Sequence, residues 1–178
     1  VIHTGINKSM EYDLSQPLNL YKKYRRKDVL RLLNMNFNQN EQSIGGYTNS
    51  NNHFAIFVTL DKGKDFKAAR IAYEDEFIDE RTFHWYTKAP RNLRSPEVQL
   101  LRNPGEYKFH LFVKRKYNQK ENETDFYYLG EVVPLQETIQ QVEKQDKEGK
   151  KKSVVKLDFT LETPVEPNMY EFLTQNTN

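Results

Sequence analysis

Four histidines, His3, His53, His84 and His110, are the chain's only imidazoles, and no cysteine accompanies them. They are scattered rather than spaced as metal ligands, and no HExxH occurs. The lack of cysteine excludes a disulfide scaffold, a thiol nucleophile and any zinc site built on thiolates. No GxSxG, Walker loop or GxGxxG is present, and Gly45-Gly46 stands alone. One acidic cluster, Glu74-Asp75-Glu76 with Asp79 and Glu80, could hold magnesium in a small metal-dependent nuclease, because a hard cation needs several oxygens. The D-(x)n-ExK pattern that would complete such a nuclease is missing, so a solvated turn or a hydrogen-bonding acid is the better account of the cluster.

The segment Phe83-His84-Trp85-Tyr86-Thr87-Lys88, followed by Arg91 and Arg94, points to a different chemistry. It sets the only Trp between aromatics and beside cations. A nucleic-acid reader needs flat surfaces to stack a base and cations to hold the backbone. The competing account makes Trp85 ordinary core, since a strand Trp is more often buried than not.

Net charge adds to this. The formal value is only +2, but residues 1–116 carry 20 Lys/Arg against 13 Asp/Glu (+7), and residues 117–178 carry 7 against 12 (−5). Lys22 to Arg31 holds six cations and one acid, and Lys88 to Lys116 holds eight cations and two acids. Such clusters can neutralise phosphates or simply form a solvated surface. The 13% aromatic content argues against disorder, and 178 residues suffice for one domain with a real core. No apolar run approaches the roughly 20 residues of a membrane span, and no signal peptide opens the chain. The expectation is a soluble, intracellular protein.

These residues need elements to position them. Residues 1–16 show no period and read as a linker or the end of a preceding domain, with 17–178 a single domain; the start on Val1 fits an excised fragment. From Arg26 a helical period sets Val29, Leu30, Leu32 and Leu33 between charges, with Asn34 as its stop. Gly45-Gly46-Tyr47 turns into a strand, and His53 to Leu60 alternates with enough apolar residues to be central. Arg70 to Phe77 and Thr82 to Lys88 read as further strands. Ser95 as N-cap and Pro96 at the first position start a short helix, which Asn103-Pro104-Gly105 ends. Tyr107 to Lys114 and Asp125 to Val133 pattern as an antiparallel hairpin. The charged run Gln136 to Lys152 reads as helical at first and disordered over Lys144 to Lys152. Val154 to Leu161 is a last strand and Pro167 to Leu173 a short helix. The fold class expected is α+β: a curved mixed or antiparallel sheet, or an open barrel, with two or three short helices.

Eight segments recur in the order and spacing of a known family: Tyr24 to Leu33, Gly45-Gly46-Tyr47, Ile56 to Thr59, Tyr73 to Phe77, Thr82 to Tyr86, Ser95 to Val98, His110 to Lys114 and Asp125 to Glu131. Together they resemble the C-terminal domain, first described without a function, of SauUSI-like type IV restriction enzymes, which are bacterial helicase-nucleases. The resemblance runs from about Leu18 to Thr160, and departs at Arg25 or Arg26, where a capping Ser is expected. It implies a cytoplasmic, non-catalytic target-recognition domain of SRA/PUA-like curvature, needing no cofactor or metal. Its partners would be double-stranded DNA carrying modified cytosine and the helicase and nuclease domains of its parent chain.

A reader of 5-methylcytosine could touch the methyl group in the major groove or flip the base into a pocket; the curved sheet suits the second. Residue chemistry then suggests Trp85 with Tyr73 or Tyr47 as walls, with Tyr86 beside them and Asp75 accepting from the cytosine amino group. Lys88, Arg91, Arg94, Arg102, Lys114 and Arg115 would hold phosphates. A protein-interaction or dimerisation module and a small nuclease remain the alternatives.

Overall fold

The computed structural model describes residues 16–36, 40–60, 75–115 and 124–175. Its strands are β1 (Lys23–Tyr24), β2 (Tyr47–Ser50), β3 (His53–Leu60), β4 (Glu76–Asp79), β5 (Thr82–Tyr86), β6 (Lys108–Arg115), β7 (Phe126–Pro134), β8 (Gln140–Gln145) and β9 (Lys151–Leu161). The helices are α1 (Arg26–Leu32), α2 (Glu41–Ile44), α3 (Pro96–Arg102) and α4 (Pro167–Thr174). All the strands join one sheet along the path β2-β3-β6-β7-β9-β5-β4, with β1 added to β7 and β8 to β9. The β3–β6 pair is parallel and the others are antiparallel, so the sheet is mixed; its path ends on β2 and β4, which do not pair, and it stays open. This is the α+β class expected.

Alternation along the strands builds two cores. Phe54, Ile56, Val58 and Leu60 of β3 face one side with Phe109, Leu111 and Val113 of β6 and Leu157, Phe159 and Leu161 of β9. Leu101 of α3 and Met169, Phe172 and Leu173 of α4 cover that side. Ala55 and Phe57 point the other way, to Phe112, Phe126 and Tyr128, where Val29, Leu30 and Leu33 from α1 and its end close a second core. Fully burying Val29 or Leu30 stabilises by roughly 1.5–3 kcal/mol each. Leu32, counted with the apolar face by its period, is exposed instead. Asn34, with φ of 54°, ends the helix as expected. Arg25 at the N-cap position makes no side-chain cap bond.

The run Gln136 to Lys152 departs from its expectation. Gln136–Thr138 is a single 3-10 turn, and Lys144 to Lys152 is ordered as the end of β8, a tight turn and the start of β9. Asp146 makes the turn: its Oδ1 accepts from the amides of Glu148 and Lys150, each at 2.9 Å. Local charge patterning hid this, because a β-hairpin edge needs little apolar content when β9 already supplies the buried partner.

Between β6 and β7 the register slips once, pairing Leu111 with Gly130 and Phe112 with Tyr128, and Leu129 is left over. Such a bulge bends a strand and increases its twist. Gly130 takes φ of 103°, and a Cβ there would sit 3.2 Å from Leu20 Cδ1. Gly130→Ala is therefore expected to cost about 1–3 kcal/mol, seen as a lower denaturant midpoint with an unchanged slope.

Beside the bulge, His110 is buried between His53 and Tyr128, with His53 Nδ1 and the Tyr128 hydroxyl each 3.0 Å from its ring nitrogens. Burial, with the charges of His53 and Lys108 nearby, pulls the His110 pKa down to about 3. The unfolded chain then binds a proton that the folded one refuses. Stability from His110 is thus complete above about pH 6.5 and is lost progressively as pH falls toward about 3. Thermal midpoints should fall over that window, and His110→Phe should flatten the dependence.

Candidate nucleic-acid interface

β5 orders the site by its alternation. Phe83 and Trp85 enter the first core, while His84 and Tyr86 lie on the opposite face. Trp85 is only 2% exposed and packs on Phe159, with ring centroids 5.6 Å apart. It also meets Tyr47 of β2, edge-on at 5.2 Å. A base cannot stack on Trp85 as it stands here; the indole supports Tyr47 from within.

The far end of β5 outruns β4, and there side chains replace the missing strand. The Tyr86 amide donates to Asp75 Oδ1 at 2.9 Å, and the Lys88 amide donates to the Tyr47 hydroxyl at 3.4 Å. Amides two residues apart on a strand point the same way, so Asp75 and Tyr47 lie along one edge, roughly 6–7 Å apart. The Thr87 amide points to the other edge and donates to the Val155 carbonyl at 2.9 Å. On the outer face His84 Nδ1 lies 2.5 Å from Asp158 Oδ1, and its Nε2 lies 3.1 Å from the Tyr86 hydroxyl.

Beyond Lys88 the chain turns into α3. Arg91 Nε donates to Glu97 Oε2 at 2.6 Å, and the Tyr47 hydroxyl donates to the same oxygen at 2.9 Å. Burial acts to raise the Glu97 pKa, but the hydrogen bonds from Arg91 and Tyr47 outweigh it and leave the carboxylate below its usual range. Burial and the adjacent Glu97 carboxylate push the Tyr47 phenol well up, so it stays a neutral donor. Lys88 Nζ lies 5.6 Å from the Tyr47 ring centroid, a cation–π distance. Around this knot is a recess of about 260 Å³ lined by Ser43, Tyr47, Thr48, Asn49, Lys88, Pro96 and Glu97.

The structure thus brings together Tyr47, Asp75, Lys88 and Arg91 of the residues singled out by sequence, with Arg94 exposed on the same loop; Tyr86 joins them through its backbone amide alone, its ring being buried on the opposite face. It separates three. Arg102 is exposed at the distant end of α3. Lys114 sits on the second-core face, its Nζ 4.9 Å from the Phe126 ring centroid. Arg115 is 2% exposed and donates from Nη1 to the Phe172 carbonyl at 3.2 Å, an interior role that gives no access to phosphate. Tyr73 and Glu74 lie outside the described residues, among which no group of three His, Asp or Glu is placed to hold a metal. Glu97 was missed, because an acid in the first turn of a helix reads as a partner of the helix dipole. Ser95 stands at the N-cap of α3 as expected, yet its hydroxyl accepts from the Asn92 amide and caps nothing.

Comparison with known proteins gives a matching family and several similar solved structures. The model of the family described as Domain of unknown function (DUF3427) matches residues 18–173. No curated protein matches. The solved structure of the DNA modification-dependent restriction endonuclease AspBHI is similar at a TM-score of 0.50 and 18% identity, over 89% of this chain and 81% of that one. The DNA recognition domain of the cytosine modification-dependent restriction endonuclease LpnPI gives 0.45 and 14%, over 66% of this chain and 60% of that one. The sulfur-binding and SRA domains of ScoMcrA, complexed with phosphorothioated DNA, give 0.45 and 9%, over 90% of this chain and 46% of that one. The chain therefore spans about three fifths of the LpnPI domain. Among the described residues no helix is long and apolar enough to cross a membrane.

The Glu97 knot is testable by stability. Glu97→Gln removes the charge shared by Arg91 and Tyr47 and should cost about 1–3 kcal/mol, measured by urea denaturation.

Proposed function

Because the chain belongs to the family described as Domain of unknown function (DUF3427), with an AspBHI-like fold, we propose that it is the DNA-recognition module of a modification-dependent restriction enzyme. It reads modified cytosine in duplex DNA and performs no chemistry itself. The observation that carries this reading is the convergence at the end of β5: a carboxylate at Asp75, held by the Tyr86 amide, the ring of Tyr47, and the cations Lys88, Arg91 and Arg94. AspBHI and LpnPI, whose descriptions name DNA modification, support the class of partner. Cutting and translocation would fall to nuclease and helicase domains of a longer parent chain.

In this reading a cytosine leaves the stack and enters beside the Tyr47 ring. Its amino group donates to Asp75, which thymine, with a carbonyl at that place, cannot do. The methyl group meets the apolar edge of an aromatic ring. Lys88, Arg91 and Arg94 take the flanking phosphates, and Trp85 holds Tyr47 in place from the core. Extrusion costs a few kcal/mol, offset by stacking and by the amino contact.

Binding of the chain to matched duplexes with and without 5-methylcytosine, at two salt concentrations, tests the proposal. Preference for the methylated duplex at both salts is expected. Asp75→Ala should remove that preference, a loss of about 1–3 kcal/mol of discrimination, while leaving weak, salt-sensitive binding. Preference unchanged in Asp75→Ala removes Asp75 from the role. Equal binding of both duplexes would leave a plain DNA-holding module, and no binding would favour a protein-interaction domain.

A further inference from the structure

The β8–β9 hairpin is the one strongly basic feature of the acidic half of the chain. Gln140 to Lys156 carries six lysines against three acids, a surplus of three positive charges. Lys147, Lys150, Lys151 and Lys152 are exposed and Lys144 is half-buried. The register sets Lys144 directly opposite Lys152. Like charges in that position oppose pairing, yet the ladder continues one pair further, to Gln145 and Lys151. Asp146, 3.6 Å from Lys152, is the acid at the turn, and its carboxylate also accepts the Glu148 and Lys150 amides. The backbone ladder and the Asp146 carboxylate thus hold together a cationic tip whose lysines repel one another.

This tip is tied to the reading edge. The Arg91 amide donates to the Ser153 carbonyl at 2.8 Å, and the Leu93 amide donates to Gln141 Oε1 at 3.2 Å, so the loop bearing Lys88, Arg91 and Arg94 is stitched to the hairpin. Tyr86 pairs with Lys156, and Lys156, Lys152 and Lys144 share its face of the sheet. Five residues of β9 separate Lys156 from Lys151, roughly 17 Å, or about half a helical turn of duplex. A duplex seated on the edge reaches the tip.

We propose that the β8–β9 hairpin is a second DNA-contacting arm, in which Lys144, Lys147, Lys150, Lys151 and Lys152 hold the phosphate backbone beside the base-reading edge. It supplies affinity without sequence or modification preference, and it rests on the DNA-reading function proposed above.

The test uses the 178-residue chain and the same paired duplexes over a salt series. In K144Q/K151Q/K152Q, affinity for both duplexes should fall by the same factor, about tenfold or more, and the salt slope should shrink by about 2–3. The same three positions as Arg should keep the wild-type slope, which separates charge from folding. K147Q/K150Q in the exposed turn, expected to reduce the slope by about 1–2, tests the arm without touching a strand. Wild-type binding with an unchanged slope in both glutamine variants overturns the arm alone. Failure of the wild-type chain to bind either duplex overturns the arm and the DNA-reading function together.

Discussion

Strand β9 is the member on which the site depends. This strand of eleven residues has partners on both edges, β7 and β8 on one side and, along residues 156–160, β5 on the other. Leu157, Phe159 and Leu161 anchor it in the first core, each fully buried. That anchorage lets its opposite end project as the hairpin and gives β5 a fixed rail beyond Glu76, the first residue of β4. Without it, the Tyr86 and Lys88 amides would have no defined direction, and the edge that gathers Asp75 and Tyr47 would not exist.

Much of the frame was readable in the chain because period and burial coincide. His53 to Leu60 reads as central, and β3 is buried on both faces, packed between α1 on one side and α3 and α4 on the other. The hairpin of β6 and β7 and the helix at Pro96 follow the same logic. The hairpin of β8 and β9 did not, since its lysines mimic the composition of a solvated coil and its order comes from neighbours distant in sequence.

The site was readable only as a set of residue types. Tyr47 and Lys88 are 41 positions apart and meet through one hydrogen bond and one cation–π contact that no local pattern announces. Trp85 was weighed both as a wall and as core, and burial decides for core. Arg115 and Arg102 looked equivalent by charge, yet strand parity turns one inward and helix length carries the other away. Charge is a property of composition; access is a property of packing.

The parallel pairing of β3 with β6 has a consequence for how the chain reaches this state. His53 pairs with Lys108, 55 residues on, and Tyr86 pairs with Lys156, 70 residues on. The hairpins β2–β3, β6–β7 and β8–β9 close short loops, whereas these two ladders must wait for long loops to close and so carry the entropic barrier to folding. Tyr47, Asp75 and the Arg91–Glu97 pair come from three separate pieces of the chain, brought together across these ladders. That edge is therefore assembled late, and a partly made chain already carries its basic clusters before Tyr47, Asp75 and Lys88 are set side by side.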